Sequence, residues 1–373
     1  MEQGNSGTEI AEQSNQENND IAVQDGSIST QAVDTSNWDL TKVNIVYDTA
    51  NVAVPVPKGY VASGADGEHS VNTGFVIYEG DTAVTTDNAW NESCIRNQWV
   101  WVPVSDVSRI YEVDENGKKK SKLYDYSSTG RTMYSNNNCE PGILANTLYS
   151  AIDKEYAFAV GNLQGMTKEK FLHEMQEEFD FTIESIKKYG GFYIGRYETG
   201  SLSSKTLVVQ RMNTDIVGST WYTEYSRLQR LGVNGNVKSN MIWGCLWDET
   251  LQWLVDSGNK TYSILVSSTA WGNYYNTGFN YKKSISGSTS TKLAYTSSVI
   301  PSGSTERSNA NNIYDLAGNV WEFTLEGDYS RYRSYRGGSY SDTGSGNPVS
   351  SLERGYPNIS YEGVGFRTYL YIR

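Results

Sequence analysis

The sequence predicts an α+β fold with few helices, short twisted sheets and much irregular loop. Many short β-type runs are separated by Gly, Pro, Asn and Asp, only two stretches carry helical periodicity, and a long Ser/Thr/Gly-rich excursion occupies residues 283–310. Strands and helices do not alternate regularly, which argues against a doubly wound parallel sheet.

Residues 1–38 are rich in Gln, Asn, Ser, Glu and Gly and poor in aromatics. They cannot bury enough apolar surface to offset the entropy of ordering, so a disordered acidic tail or linker is expected. From Trp38 the texture changes to the runs "KVNIVYD", "NVAVPVP", "GFVIYEG" and "NQWVWVPV". Residues 39–96 therefore read as a β-rich N-terminal extension. Pro55 and Pro57 cannot donate to a ladder, which confines their run to an edge or a crossing loop. After Thr167, a candidate N-cap, Phe171, Met175, Phe179, Ile183 and Ile186 recur at helical spacing. That helix should stop at Gly190–Gly191, just before the strand-like "FYIGRYE". A second helix is predicted at "WDETLQWLVDSG", with Trp247, Leu251 and Leu254 on one face and Gly258 at its end.

Lys and Arg number 31 against 43 Asp and Glu, a net charge of −12. Eight acids, from Glu2 to Asp39, precede the first base, Lys42. This balance excludes a globally basic nucleic-acid binder, and no nucleic-acid partner is expected. No run approaches the ~20 apolar residues of a spanning helix, so no direct membrane insertion is expected. The first 30 residues lack the basic and apolar segments of a signal peptide. Cys94, Cys139 and Cys245 lie far apart with no C-x-x-C pair. That argues against a disulfide scaffold or a zinc site and favours three buried thiols over one bridge and one free thiol.

Four ordered stretches carry a family resemblance: "NQWVWVPV" (97–104), "FYIGRYE" (192–198), "IYDLAGNVWEF" (313–323), and "YRGGSY" (335–340) with "GFR" (365–367). Together they resemble the formylglycine-generating enzymes, the sulfatase-modifying factor family. The resemblance implies a variant of the C-type lectin-like fold over residues 97–373. Gly337, Gly338, Trp321 and Phe366 are then expected to build turns and core, the glycines admitting backbone angles and close approaches that a β-carbon forbids.

The resemblance also implies chemistry that this chain does not match. Sulfatase-activating members use a cysteine pair in the C-terminal part to bind copper, but no cysteine follows Cys245. A related branch uses a histidine cluster, and this chain has only His69 and His173. "GGSYSDTGSG" lacks the G-K-[ST] ending of a phosphate loop. A Ser-His-Asp triad would have to recruit one of the two isolated histidines. No catalytic residue and no organic cofactor are therefore expected. The competing reading is a metal-dependent oxidoreductase of the formylglycine-generating class with an atypical active site.

Asp315, Gly318, Val320 and Glu322 offer a carboxylate, two backbone carbonyls and a second carboxylate from one short loop. Hard oxygen ligands of this kind suit calcium. These positions also match a calcium loop of the resembled family, in which an Asn stands where this chain has Asp315. The same carboxylates can instead cap the turn through backbone N–H groups, and the sequence leaves both readings open.

Residues 328–361 are dense in Tyr, Ser, Gly and Asn and contain no Lys. Antibody binding loops use the same mixture, rigid amphipathic Tyr with adaptable small polar partners. On this fold the pattern resembles the variable proteins of diversity-generating retroelements. Tyr329, Tyr332, Tyr335, Tyr340, Asp342, Tyr356, Asn358 and Tyr361 are the candidate ligand-binding residues. The function expected is non-enzymatic, receptor-binding or adhesin-like recognition of a protein or glycan, on a chain displayed extracellularly, at the cell surface or on a phage particle.

Overall fold

The computed structural model describes residues 34–134, 168–202, 206–214, 217–228, 235–327 and 332–373, with Met1 and Leu231 besides. Most of the expected tail, Thr167, Cys139 and Tyr329 lie outside the described residues.

The chain enters through a ribbon of β1 (Val43–Tyr47) and β2 (Ala53–Pro57), in which Pro55 faces Ile45 and Pro57 faces Val43. The two prolines are thus accommodated in an isolated two-stranded ribbon, where few ladder donors are demanded. β3 (Tyr60–Ala62), β4 (Phe75–Glu79) and β5 (Gln98–Pro103) follow, with the short helix α1 (Ala89–Ile95) between the last two. These strands pair in sequence, and beyond the hairpins β6–β7 (Tyr111–Val113, Lys119–Ser121), β8–β9 (Tyr124–Ser127, Gly130–Met133) and β11–β12 (Gly200–Leu202, Thr206–Val208) the sheet continues into β10 (Gly191–Gly195), β20 (Thr368–Ile372) and β13 (Val237–Met241), making six strands. The sheet spans the expected boundary at 96/97. β4 pairs directly with β5 across it, and one hydrophobic cluster runs from Trp38 to Ile372.

The long helix is α2 (Lys168–Tyr189), and Phe171, Met175, Phe179, Ile183 and Ile186 are all buried as the spacing requires. It packs on β10 and β20 and ends where Gly190 turns left-handed at φ 82°. The second expected helix is α4 (Gly244–Asp256), preceded by a third, α3 (Trp221–Leu228), that the sequence reading missed. Both free backbone donors at the start of α4, Gly244 N and Cys245 N, are taken by the Glu326 carboxylate, a cap supplied from a different strand. The 283–310 stretch is less irregular than expected: β14 (Phe279–Lys282) and β15 (Thr289–Lys292) close a hairpin at its start.

The last layer is a four-stranded sheet of β18 (Leu352–Gly355), β17 (Arg333–Arg336), β16 (Trp321–Gly327) and β19 (Val364–Phe366). β16 and β19 run parallel while the other pairs are antiparallel. A single residue, Arg367, separates β19 in this sheet from β20 in the large one. No described helix is long and apolar enough to cross a membrane.

The phase of α2 gives a direct test. Phe179 is fully buried with its ring 4.9 Å from Trp243, whereas Phe181, two residues on, is 61% exposed. Phe179→Ala should lower the unfolding free energy by about 3–5 kcal/mol. Phe181→Ala should change it by less than about 0.5 kcal/mol. Equal effects in denaturant titrations would contradict the placement of the helix.

Candidate functional site

The loop before β16 reverses the chain by placing Asp315, Gly318 and Asn319 in the left-handed region, at φ 61°, 73° and 61°. Asp and Asn tolerate that conformation better than other side chains. A β-carbon on Gly318 would lie 2.2 Å from the Asn273 carbonyl oxygen, so only glycine fits there. Its N–H donates to Gly337 O at 2.9 Å, joining the loop to "RGGSY". Glu198, at the end of "FYIGRYE", clamps the same loop by accepting from Asn319 Nδ2 at 2.6 Å and Val320 N at 3.1 Å.

The two carboxylates of the expected calcium loop are engaged by protein donors. Asp315 Oδ2 accepts from the Ser302 hydroxyl at 2.9 Å and from Gly303 N at 2.7 Å. Both Glu322 oxygens accept from Arg367, through Nε at 3.1 and 2.9 Å and through a terminal nitrogen at 2.6 Å. The same guanidinium donates to Gly195 O at 2.9 Å and Tyr314 O at 2.8 Å. Bidentate Arg–carboxylate pairing is a strong form of hydrogen bond. As arranged, the loop does not fit a cation held by Glu322, because Arg367 already brings a positive charge to that carboxylate.

The expected recognition residues fall into two groups. Tyr332, Tyr335, Tyr356 and Tyr361 meet at β17 and β18. Tyr332 and Tyr356 have hydroxyls 3.1 Å apart and ring centroids 4.6 Å apart. Tyr335 packs edge-on against Trp321 at 5.1 Å and Phe323 at 5.8 Å, and lies 6.3 Å from Tyr361. The Tyr361 hydroxyl accepts from Tyr356 N at 2.9 Å. All four are half-buried rather than exposed, which corrects the expectation of a freely exposed face. Aromatic rings gain by stacking on the apolar residues of β16, so they settle partly into the sheet. Burial, with Glu353, Tyr361 and Asp342 adding to it, pushes the Tyr335 phenol up to about 12.

Tyr340, Asp342 and Asn358 do not join that aromatic cluster through ring contacts. Tyr340 N donates to Asn319 O at 2.9 Å. Asp342 takes the Ser339 N–H at 3.0 Å, the Ser339 hydroxyl at 2.6 Å and the Asn347 amide at 2.8 Å, so its carboxylate ties its own loop together. Asn358 is half-buried in the turn after β18.

Neither described cysteine offers a ready thiolate. Cys94 and Cys245 are free and buried, and burial raises both thiols above their ordinary range, Cys245 well above it. His173 is exposed beside Glu177 at 3.4 Å. His69 sits with its two ring nitrogens on the carbonyls of Ser63 at 2.6 Å and Tyr47 at 3.2 Å. Among the described residues no group of three His, Cys, Asp or Glu side chains is placed to hold a metal.

Residues 257–371 match the family description of the sulfatase-modifying factor enzyme 1-like domain. Over that stretch the chain is similar to this domain. The resemblance read from the sequence is therefore met over 257–371, a stretch that contains β14 to β19 with most of β20. The architecture is mostly β, with five α-helices among the described residues, short sheets and much irregular loop, as the sequence predicts. No curated protein matches the chain. Among solved structures, one titled CarF is 14% identical, with 49% of this chain and 87% of that one covered at a TM-score of 0.30. Treponema denticola variable protein 1 is also 14% identical, with 73% and 95% covered at a TM-score of 0.25.

Sequence reasoning quoted Arg367 and Glu322 inside motifs but missed their pairing. The signal was present: an Arg and a Glu, each flanked by apolar strand residues, must find each other if both strands are buried. The segment also has a pH signature. Burial raises Asp315, Glu322 and Glu326 above the carboxylate range, Glu322 from 4.5 to about 7 against the pull of Arg367. A raised carboxylate contributes stability that is complete below its unfolded pKa and is lost as pH rises through its folded pKa. Melting temperature should accordingly fall between pH 4.5 and about 7, and Glu322→Gln should flatten that fall; a rise over this range would contradict the assignment. Excess calcium and EDTA should give the same melting temperature if Arg367 supplies the charge. A calcium-dependent rise that Glu322→Gln removes would instead put a cation in the loop.

Proposed function

We propose that the chain is a non-enzymatic recognition protein whose small sheet presents an aromatic face to a protein or glycan ligand. The observation that carries this is the meeting of Tyr332, Tyr335, Tyr356 and Tyr361, drawn from β17, the residue before it and the loop after β18, on one half-buried patch over Trp321 and Phe323. Half-buried tyrosines suit such a role. Their rings are already ordered, so little side-chain entropy is lost on contact. The backbone beneath is held by buried residues with no part in the face, so its side chains can change while the scaffold stays.

We further propose that these positions are diversified, in the manner of the variable proteins the sequence resembles, and that the chain is displayed outside the cell or on a phage particle. Two features weigh against catalysis at the same fold: the raised, buried thiols of Cys94 and Cys245, and the commitment of Glu322 to Arg367.

A display library tests the reading. Tyr332, Tyr335, Tyr340, Tyr356, Asn358 and Tyr361 are randomised to Tyr, Ser, Asn, Asp and Gly and selected against a folded protein such as hen lysozyme. Most members should fold and display, with Tyr335 the least tolerant position because it packs on β16. Binders of about micromolar affinity should emerge, worth about 8 kcal/mol. A library that largely fails to display, or that displays and yields no binders, would sink the proposal.

A further inference from the structure

A second cavity, of about 310 Å³, lies apart from the tyrosine face, between α1, the β14–β15 hairpin and the turn at 304–306. Trp90, Arg211, Lys282, Thr289, Ser304 and Glu306 are among the residues that line it. Two cations converge there on one indole. The Lys282 ammonium stands 3.3 Å from the centre of the Trp90 ring, and the Arg211 guanidinium carbon stands 4.9 Å from it. Arg211 is 8% exposed and fixed by the hydroxyls of Tyr197 at 3.0 Å and Tyr314 at 2.8 Å and by Gly303 O at 3.0 Å.

The negative charge at the cavity does not balance this. Glu306 is 3.4 Å from Arg211 and also takes the Tyr314 hydroxyl at 2.9 Å and the Asn309 amide at 3.0 Å. Among the described residues Lys282 pairs with no carboxylate, although its backbone N–H is fastened to Ser304 O at 2.8 Å. Ser304 is 4% exposed, and its hydroxyl has no partner. A buried hydroxyl left without a partner is unfavourable unless something else binds it. The site thus combines an ammonium with no carboxylate partner and a fixed guanidinium, both over one indole, with an unpartnered hydroxyl and Thr289 in the lining of the same cavity.

We propose that this cavity binds an acidic monosaccharide unit, a hydroxylated ring carrying a carboxylate or a sulfate. The two cations supply the anion's partners, and the hydroxyls of Ser304 and Thr289 supply partners for ring hydroxyls. Trp90 gathers the two cations onto one indole and so holds them at the same end of the cavity. The volume falls at the lower end of small-ligand pockets, roughly 300–1,000 Å³, which suits one ring rather than a nucleotide. None of the tyrosine-face residues takes part, so this site stands or falls independently of that face.

Titrations of the full chain with N-acetylneuraminate, glucuronate, a sulfated N-acetylglucosamine, neutral N-acetylglucosamine and inorganic sulfate, followed by NMR or calorimetry, test it. At least one acidic sugar should bind with Kd below ~10 mM, and the neutral sugar should bind about tenfold more weakly. The carboxylated and sulfated arms tell which anion is preferred. Lys282 is exposed, so Lys282→Gln should leave the melting temperature unchanged while weakening the acidic sugar about tenfold, the loss of one charge-assisted hydrogen bond. Absence of binding by every acidic sugar, equal binding by inorganic sulfate and the sulfated sugar, or an unaltered Kd in Lys282→Gln would each overturn the proposal.

Discussion

The buried guanidinium of Arg367 is the constraint on which the rest of the structure depends. It sits between β19 of the small sheet and β20 of the large one, so the chain can pass from one sheet to the other only by burying a charge. An unpaired charge in that position would cost several kcal/mol. Glu322 from β16 meets it, and the carbonyls of Gly195 and Tyr314 complete its donors. Those partners belong to the small sheet, the large sheet and the loop before β16, so satisfying one cation fixes all three relative to each other. Glu198 and Glu326 repeat the device on a smaller scale: Glu198 accepts from the Asn319 side-chain amide and Val320 N, and Glu326 from Gly244 N and Cys245 N.

How much of this was legible in the sequence varies with how local the cause is. The phase of α2 was readable because five apolar residues at helical spacing have one explanation. The Pro55 and Pro57 ribbon was readable because proline removes a donor wherever it sits. The β13 segment "VKSNM" was not readable, since it is a polar run buried by its backbone pairing with β20, which the sequence does not place beside it. The same reason hid the unity of β4 with β5 and made residues 39–96 look like an extension. At the site, the glycines and left-handed Asn and Asp positions announced a tight turn, but the partner of Glu322 lies 45 residues away. The eye for tyrosine composition found the aromatic patch and missed its depth, because ring stacking on Trp321 and Phe323 is a matter of tertiary packing.

The division of labour that results is simple. Buried ions and left-handed turns set the backbone, while half-buried aromatics make the surface above it. A recognition face of this kind gains from the separation, because substitutions in the aromatic layer leave the ionic layer intact. The cationic cavity at Trp90 lies on the other side of this logic: its fixed element is Arg211, held by tyrosine hydroxyls, and its adaptable one is the exposed Lys282.

Amide hydrogen exchange on Arg367→Lys tests the central role of that guanidinium most directly. Lysine keeps the charge but cannot donate bidentately to Glu322 while reaching two carbonyls. The account predicts that protection falls together at Trp321–Phe323, in the small sheet, and at Tyr193–Gly195, in the large one, while Phe75–Glu79 keeps its protection. Wild-type protection at Trp321–Phe323 in that variant would contradict it.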